Sequence, residues 1–114
     1  MNPSNDKRSH VRYNNPGSIA VEARELPGFR LTPQDISAGG FQAVLARKPE
    51  MGAEFACSIF FNEKRLEEVR AKPVWVSPNK SNPPTWAVGF ELVMAEAKRG
   101  ALEGRLRDSL GGGR

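Results

Sequence analysis

Asp35-Ile36-Ser37-Ala38-Gly39-Gly40-Phe41-Gln42-Ala43-Val44-Leu45-Ala46 is followed by a Pro49-to-Gly52 turn and then by Glu54-Phe55-Ala56-Cys57-Ser58-Ile59-Phe60-Phe61. These are two short apolar runs punctuated by Gly-Gly and by Pro and Gly, which is the signature of strands joined by turns. The pattern extends in both directions. Upstream, Asn14-Asn15-Pro16-Gly17 turns into Ser18-Ile19-Ala20-Val21-Glu22-Ala23, and Pro27-Gly28 turns into Phe29-Arg30-Leu31-Thr32. Downstream, Glu68-Val69-Arg70-Ala71-Lys72 runs into Pro73-Val74-Trp75-Val76, and Thr85 to Leu92 forms the last strand. Pro73 interrupts an otherwise continuous strand and predicts an edge or a bulge, since proline donates no ladder hydrogen bond. Ser77 to Pro84, with three prolines and two asparagines, reads as an exposed loop. Six short strands at this spacing predict a small barrel or sandwich. Trp75 and Trp86 have core-like neighbours and are expected to be buried.

The end of the chain changes character. Residues 94–110 lack proline, and Leu102, Leu106 and Leu110 recur every fourth position, the stripe of an amphipathic helix. Glu103 precedes Arg107 by one helical turn, a modest supporting pair. Gly100 and Gly104 each weaken the helix by about 1 kcal/mol relative to alanine. The organisation expected is a flexible segment over 1–16, one domain over 17–110 closed by the helix at about 94–110, and a frayed tail over 111–114.

Composition bounds the function. The chain has 114 residues, 39% hydrophobic and 26% charged, consistent with one soluble globular domain. Its longest apolar runs, Ala43–Ala46 and Leu92–Ala95, are far too short to cross a membrane as a helix, and the polar N-terminus lacks a secretory signal. Cys57 is the single cysteine and His10 the single histidine. One of each builds neither an internal disulfide nor a cysteine-based zinc site, and a reducing cytoplasm is the expected location. Nothing ties His10 to a nucleophile, Glu67-Glu68 reads as a solvated turn, and no glycine loop opens a helix to cradle phosphate. An enzyme is not expected. The net charge of +4 lies at the two ends over a neutral middle, without the dense basic stripe of a nucleic-acid binder.

Two constellations carry chemistry. The first is Lys7-Arg8-Ser9-His10-Val11-Arg12. Arginines four apart share a face in a helix and in a strand, and guanidinium forks grip phosphate oxygens or the O6/N7 edge of guanine. Alone this is weak, because with eleven arginines roughly one such pair is expected from composition. The second is Asp35-Ile36-Ser37-Ala38-Gly39-Gly40. On a strand Asp35 and Ser37 share a face opposite Ile36. A carboxylate there accepts from N1–H and N2–H of guanine, and a hydroxyl donates or accepts. The same residues are ordinary loop chemistry, but D-x-S-x-x-G is expected only about 0.02 times from composition.

R-x-x-x-R at Arg8/Arg12 followed by D-x-S-x-x-G at Asp35/Ser37/Gly40 resembles the PilZ domain, a bacterial receptor for cyclic di-GMP. The likeness spans residues 7–95 and includes Val74-Trp75-Val76 and Gly89-Phe90-Glu91. It implies a six-stranded antiparallel barrel of the split-barrel type capped by a C-terminal helix. It also implies a mobile arginine segment that folds over the ligand. On this basis Arg8 and Arg12 would hold phosphates and guanine edges, Asp35 and Ser37 would hydrogen-bond a guanine, and Gly40 would keep the surface open. Gly39 and Lys7 are weaker candidates; Lys7 sits loosely where the family places a basic residue associated with an intercalated ligand dimer. With six residues before Lys7, the expectation is a stand-alone adaptor with cyclic di-GMP as its ligand, no metal or other cofactor, and an effector protein in trans as its output. Two alternatives stay open: a PilZ-fold interaction module that binds no nucleotide, and a small barrel for single-stranded nucleic acid, which would be expected to display aromatic platforms.

Overall fold

Along Gly40–Leu45 the side chains of Phe41, Ala43 and Leu45 are buried while Gln42 and Val44 face outward, and along Phe55–Phe61 every odd-numbered residue is buried. That two-residue period builds the core in the computed structural model, which describes residues 11–15, 17–23, 30–61 and 64–111. The expectations attached to Lys7, Arg8, His10, the Pro27-Gly28 turn and the tail beyond Gly111 lie outside the described residues.

Eight strands occur among the described residues: β1 (Tyr13–Asn14), β2 (Ile19–Glu22), β3 (Arg30–Leu31), β4 (Asp35–Ser37), β5 (Gly40–Leu45), β6 (Phe55–Phe61), β7 (Lys64–Asn79) and β8 (Thr85–Val93). They form one antiparallel curled sheet in the order β1-β4-β5-β8-β7-β6-β2-β3. The expected all-β class with a C-terminal helix is found. The strand count is eight rather than six, because the Asp35–Ser37 segment pairs with β5 and recruits a two-residue strand from the N-terminal side.

β7 departs from the expected pattern at three places. It begins at Lys64, and Glu67 and Glu68 lie within it rather than in a turn. The register slips there: Cys57 opposes Val69 while Ile59 opposes Leu66. Glu68, at φ 61°, absorbs the extra residue as a bulge. The spacing of three between buried Leu66 and Val69 requires such a slip, since an unbroken strand would turn one of them outward. A second slip falls between Pro73, opposite Phe90, and Trp75, opposite Gly89. Pro73 therefore sits at a bulge, as expected. Third, the strand continues to Asn79, and the exposed loop is confined to Lys80–Pro84. Beyond Ala71 the partner strand β6 has ended, so this stretch has only β8 as a paired strand, with one further bond from Gly52 N–H to the Pro73 carbonyl at 3.1 Å. One side of it is an edge, where Pro73 and Pro78 are tolerated.

The second bulge overturns the expectation for Trp75. Pro73 and Val76 are inward-facing, with the extra residue between them, so Trp75 points outward and is 44% exposed. Trp86 is half-buried against the core.

The helix α1 runs over Glu96–Leu106 and continues as a π-helical turn over Arg107–Gly111. Leu102 and Leu106 are fully buried and Leu110 packs partly against the same cluster. Each buried leucine contributes roughly 1.5–3 kcal/mol, enough to offset the glycines at 100 and 104. Packing rather than propensity holds this helix.

Candidate functional site

The registers place two rows of residues on the outer face of the sheet. Asp35, Gln42, Gly89 and Trp75 are successive cross-strand neighbours on β4, β5, β8 and β7; Ser37, Gly40, Glu91 and Lys72 form the adjacent row. At one strand spacing per step, Asp35 and Trp75 stand about 14 Å apart along the sheet. Between them lies a cleft of about 320 Å³ whose lining includes Arg12, Gly40, Gln42, Trp75, Gly89 and Glu91, at the small end of the range for ligand sites.

Two glycines make its floor. A Cβ on Gly40 would collide with the carbonyl oxygen of Phe90, and one on Gly89 would fall on the indole nitrogen of Trp75. Gly40 is thus required by the close approach of β8, a reason that sequence reasoning assigned to the ligand. Beneath the floor Phe41 and Phe90 stack at 4.7 Å, and Phe55 meets Phe90 edge-on at 5.9 Å. The platform is rigid because its underside is core.

One wall is charged. Arg12 Nη1 donates to Asp35 Oδ1 at 2.7 Å, with the arginine 64% exposed and the aspartate 19%. Arg12 is brought there by Asn15. The Nδ2 of Asn15 donates to the carbonyls of Ile19 and Pro33, both at 2.8 Å, and its Oδ1 accepts from the N–H groups of Gly17 and Ile19. This one side chain ties the N-terminal segment to β2 and to the connection before β4. Asp35 has an oxygen pair with about four acceptor sites, so bonding to one guanidinium leaves it capacity for a further donor. Ser37 is buried; its Oγ accepts from Gly39 N–H at 3.1 Å and makes a long contact to the Gly40 carbonyl at 3.4 Å. Opposite, Lys72 Nζ lies 3.5 Å from Glu91 Oε1.

Of the residues singled out from sequence, the structure brings together Arg12, Asp35, Ser37, Gly39 and Gly40. Arg8 and Lys7 lie outside the described residues. Trp75, Gly89, Gln42, Glu91 and Asn15 were missed. Part of the signal for Trp75 was present: Pro73 calls for an edge or a bulge, and a bulge reverses which face the following residues occupy. Among the described residues no group of three or more His, Cys, Asp or Glu side chains is placed to hold a metal ion, and no helix is long and apolar enough to cross a membrane.

An antiparallel curled sheet, a C-terminal helix closing its core, and a D-x-S-x-x-G turn paired with an arginine from the N-terminal segment together define a PilZ domain. The chain belongs to the PilZ domain family, matching it over residues 6–108. Among solved structures, the PilZ domain of YcgR from Escherichia coli, determined with c-di-GMP, is 20% identical with a TM-score of 0.67, and 92% of each chain is covered. The inhibitor of motility MotI/DgrA of Bacillus subtilis is 21% identical with a TM-score of 0.68, covering 96% of this chain and 55% of that one. MrkH of K. pneumonia in its apo state is 12% identical with a TM-score of 0.67, covering 94% and 50%. The chain thus spans about half the length of MotI and MrkH, and at these identities the likeness is one of fold. No protein of curated function matches the chain in sequence.

Proposed function

We propose that this protein is a receptor for cyclic di-GMP, not an enzyme, that works in the cytoplasm. The observation that carries the reading is the cleft itself, in which Arg12 paired with Asp35 faces an exposed Trp75 across a floor of two glycines. The ligand presents two phosphates and two guanines. Arg12 offers a guanidinium fork for phosphate or a guanine O6/N7 edge. Asp35 accepts from guanine N1–H and N2–H, the Ser37 hydroxyl adds a polar contact at the turn, and Gly39 and Gly40 leave the backbone approachable. Trp75 supplies an aromatic face on which a base stacks. Arg8 belongs to the same grip through its spacing from Arg12, and Lys7 favours a second, intercalated ligand. Family membership, and the c-di-GMP in the YcgR domain of similar fold, support this assignment.

The exposure of Trp75 removes one ground for setting aside a single-stranded nucleic acid. Charge remains: the lining residues Arg12 and Glu91 are paired with Asp35 and Lys72, a mixed surface rather than the positive groove such ligands track. In the proposed mechanism the 7–12 segment orders on binding, and this new surface signals to an effector protein in trans.

Isothermal titration calorimetry with cyclic di-GMP, and with GTP as control, tests the reading. Saturable binding at micromolar or tighter affinity is expected, with two nucleotides per chain if Lys7 acts as proposed. Absence of binding by folded protein overturns the receptor assignment in favour of a docking module that needs no nucleotide.

A further inference from the structure

The turn that carries Ser37 and Gly40 is held from the far end of the chain. Arg99 on α1, with only 17% of its side chain exposed, donates from Nη1 to the Ala38 carbonyl at 2.8 Å and to the Leu92 carbonyl at 3.3 Å. Its Nε lies 3.4 Å from Glu96 Oε2. The next carbonyl of the same turn, that of Gly39, accepts from Leu92 N–H at 2.9 Å. Two successive carbonyls of the D-x-S-x-x-G turn are therefore fixed by β8 and α1.

This arrangement bears on the site because of what the turn is made of. Gly39 and Gly40 lose more backbone freedom on ordering than any other residue pair would, and no side chain of theirs packs to compensate. Ser37 Oγ takes its position from Gly39 N–H, so the pose of Gly39 decides where the hydroxyl points. A charge-assisted bond from a largely desolvated guanidinium is stronger than a neutral one. Releasing it would also leave that guanidinium without its carbonyl partners.

We infer that Arg99 is a positioning residue of the ligand site: it holds the Ala38–Gly40 turn in its binding pose, so that ligand occupancy and the docking of α1 stabilise each other. This rests on the reading of the cleft as a cyclic di-GMP site. Linkage makes the effect reciprocal: whatever loosens α1 weakens the ligand, and the ligand tightens α1.

The test combines cyclic di-GMP affinity with amide hydrogen exchange in the parent, Arg99→Met and Arg99→Lys proteins. Arg99→Met is expected to weaken binding tenfold or more. It is also expected to speed exchange at the Gly39 and Leu92 amides at least tenfold, while Ile59 and Val69 on β6 and β7 stay as in the parent. Arg99→Lys, whose ammonium reaches one carbonyl, falls between. Binding within twofold of the parent overturns the inference; so does weaker binding with unaltered Gly39 exchange, or exchange that rises equally at Ile59 and Val69. If Arg99→Met does not fold, Arg99→Lys decides alone: weaker binding with faster Gly39 exchange supports the role, and no change in either refutes it. A parent protein that binds no cyclic di-GMP refutes the receptor reading, while the exchange measurements still decide whether Arg99 holds the turn.

Discussion

The indole nitrogen of Trp75 occupies the space into which a side chain on Gly89 would project. A single methyl group at position 89 must therefore displace the ring from the cleft. Gly89→Ala is expected to weaken cyclic di-GMP binding, as is Trp75→Ala. A stacked base is worth about 1–3 kcal/mol, so the loss is roughly 5- to 150-fold. The two variants differ in stability: Trp75→Ala removes a half-exposed side chain and leaves the thermal midpoint nearly unchanged, whereas Gly89→Ala lowers it. Calorimetric titration and thermal melts on both proteins check this. Unaltered affinity in Trp75→Ala would remove the tryptophan from the site.

The Arg12–Asp35 bond, at 2.7 Å, has an arginine largely in solvent, and such exposed pairs contribute about 0–1 kcal/mol to stability. Asp35→Asn is expected to shift the urea midpoint little. In the same protein cyclic di-GMP affinity falls tenfold or more, because hydrogen bonds to a charged group are worth about 1.5–3 kcal/mol. A large stability loss in Asp35→Asn would mark the aspartate as structural instead.

Gly40 makes the opposite prediction. Its added Cβ would strike the Phe90 carbonyl, forcing β5 and β8 apart where Gly40 pairs with Glu91. Overpacking of this kind costs about 1–3 kcal/mol, so Gly40→Ala lowers the urea midpoint with or without ligand. A variant as stable as the parent but defective in binding would show that Gly40 serves the ligand rather than the sheet.

Cys57 is buried in the core, and burial pushes its thiol up from 9.0 to about 11, a rise that the nearby Arg70 guanidinium partly counters. The unfolded chain loses this proton at lower pH than the folded one. The contribution to stability is full below pH 9 and is lost as pH rises to about 11, by roughly 2–3 kcal/mol. Stability measured across that range should fall more steeply for the parent than for Cys57→Ala. Parallel curves would show that the thiol ionises alike in both states.

Much of this was legible in the residues. The alternation over Phe41–Ala46 and Glu54–Phe61 reads directly as strands because each has one face on the core. The four-residue stripe of Leu102, Leu106 and Leu110 reads as a helix for the same reason. Asp35 and Ser37 were legible because short polar residues at that spacing are rare in this composition. The residues that complete the two rows on β5, β8 and β7 were not. Glu91, Gln42 and Gly89 become site residues only through register, and register depends on where β7 slips past its neighbours. Trp75 was assigned to the wrong face for that reason: its apolar neighbours suggested core, while the residue inserted after Pro73 turned it to the surface. Asn15 looked like turn punctuation: three of its four side-chain hydrogen bonds are local, to Gly17 and Ile19, and only the fourth, to the Pro33 carbonyl, reaches across the fold.

The bulge beside Pro73 also determines which kinds of sequence change the cleft tolerates. Val74 is the supernumerary residue, half-exposed, and most replacements there leave the count of residues intact. Deleting it would leave Pro73 inward, Trp75 outward and Val76 inward in an unbroken two-residue period, so the faces are kept while the bulge and the extra twist it gives the strand are lost. The outward face of the indole therefore survives a change of length at this position as well as a change of side chain, because the inserted residue separates two positions that already belong to opposite faces.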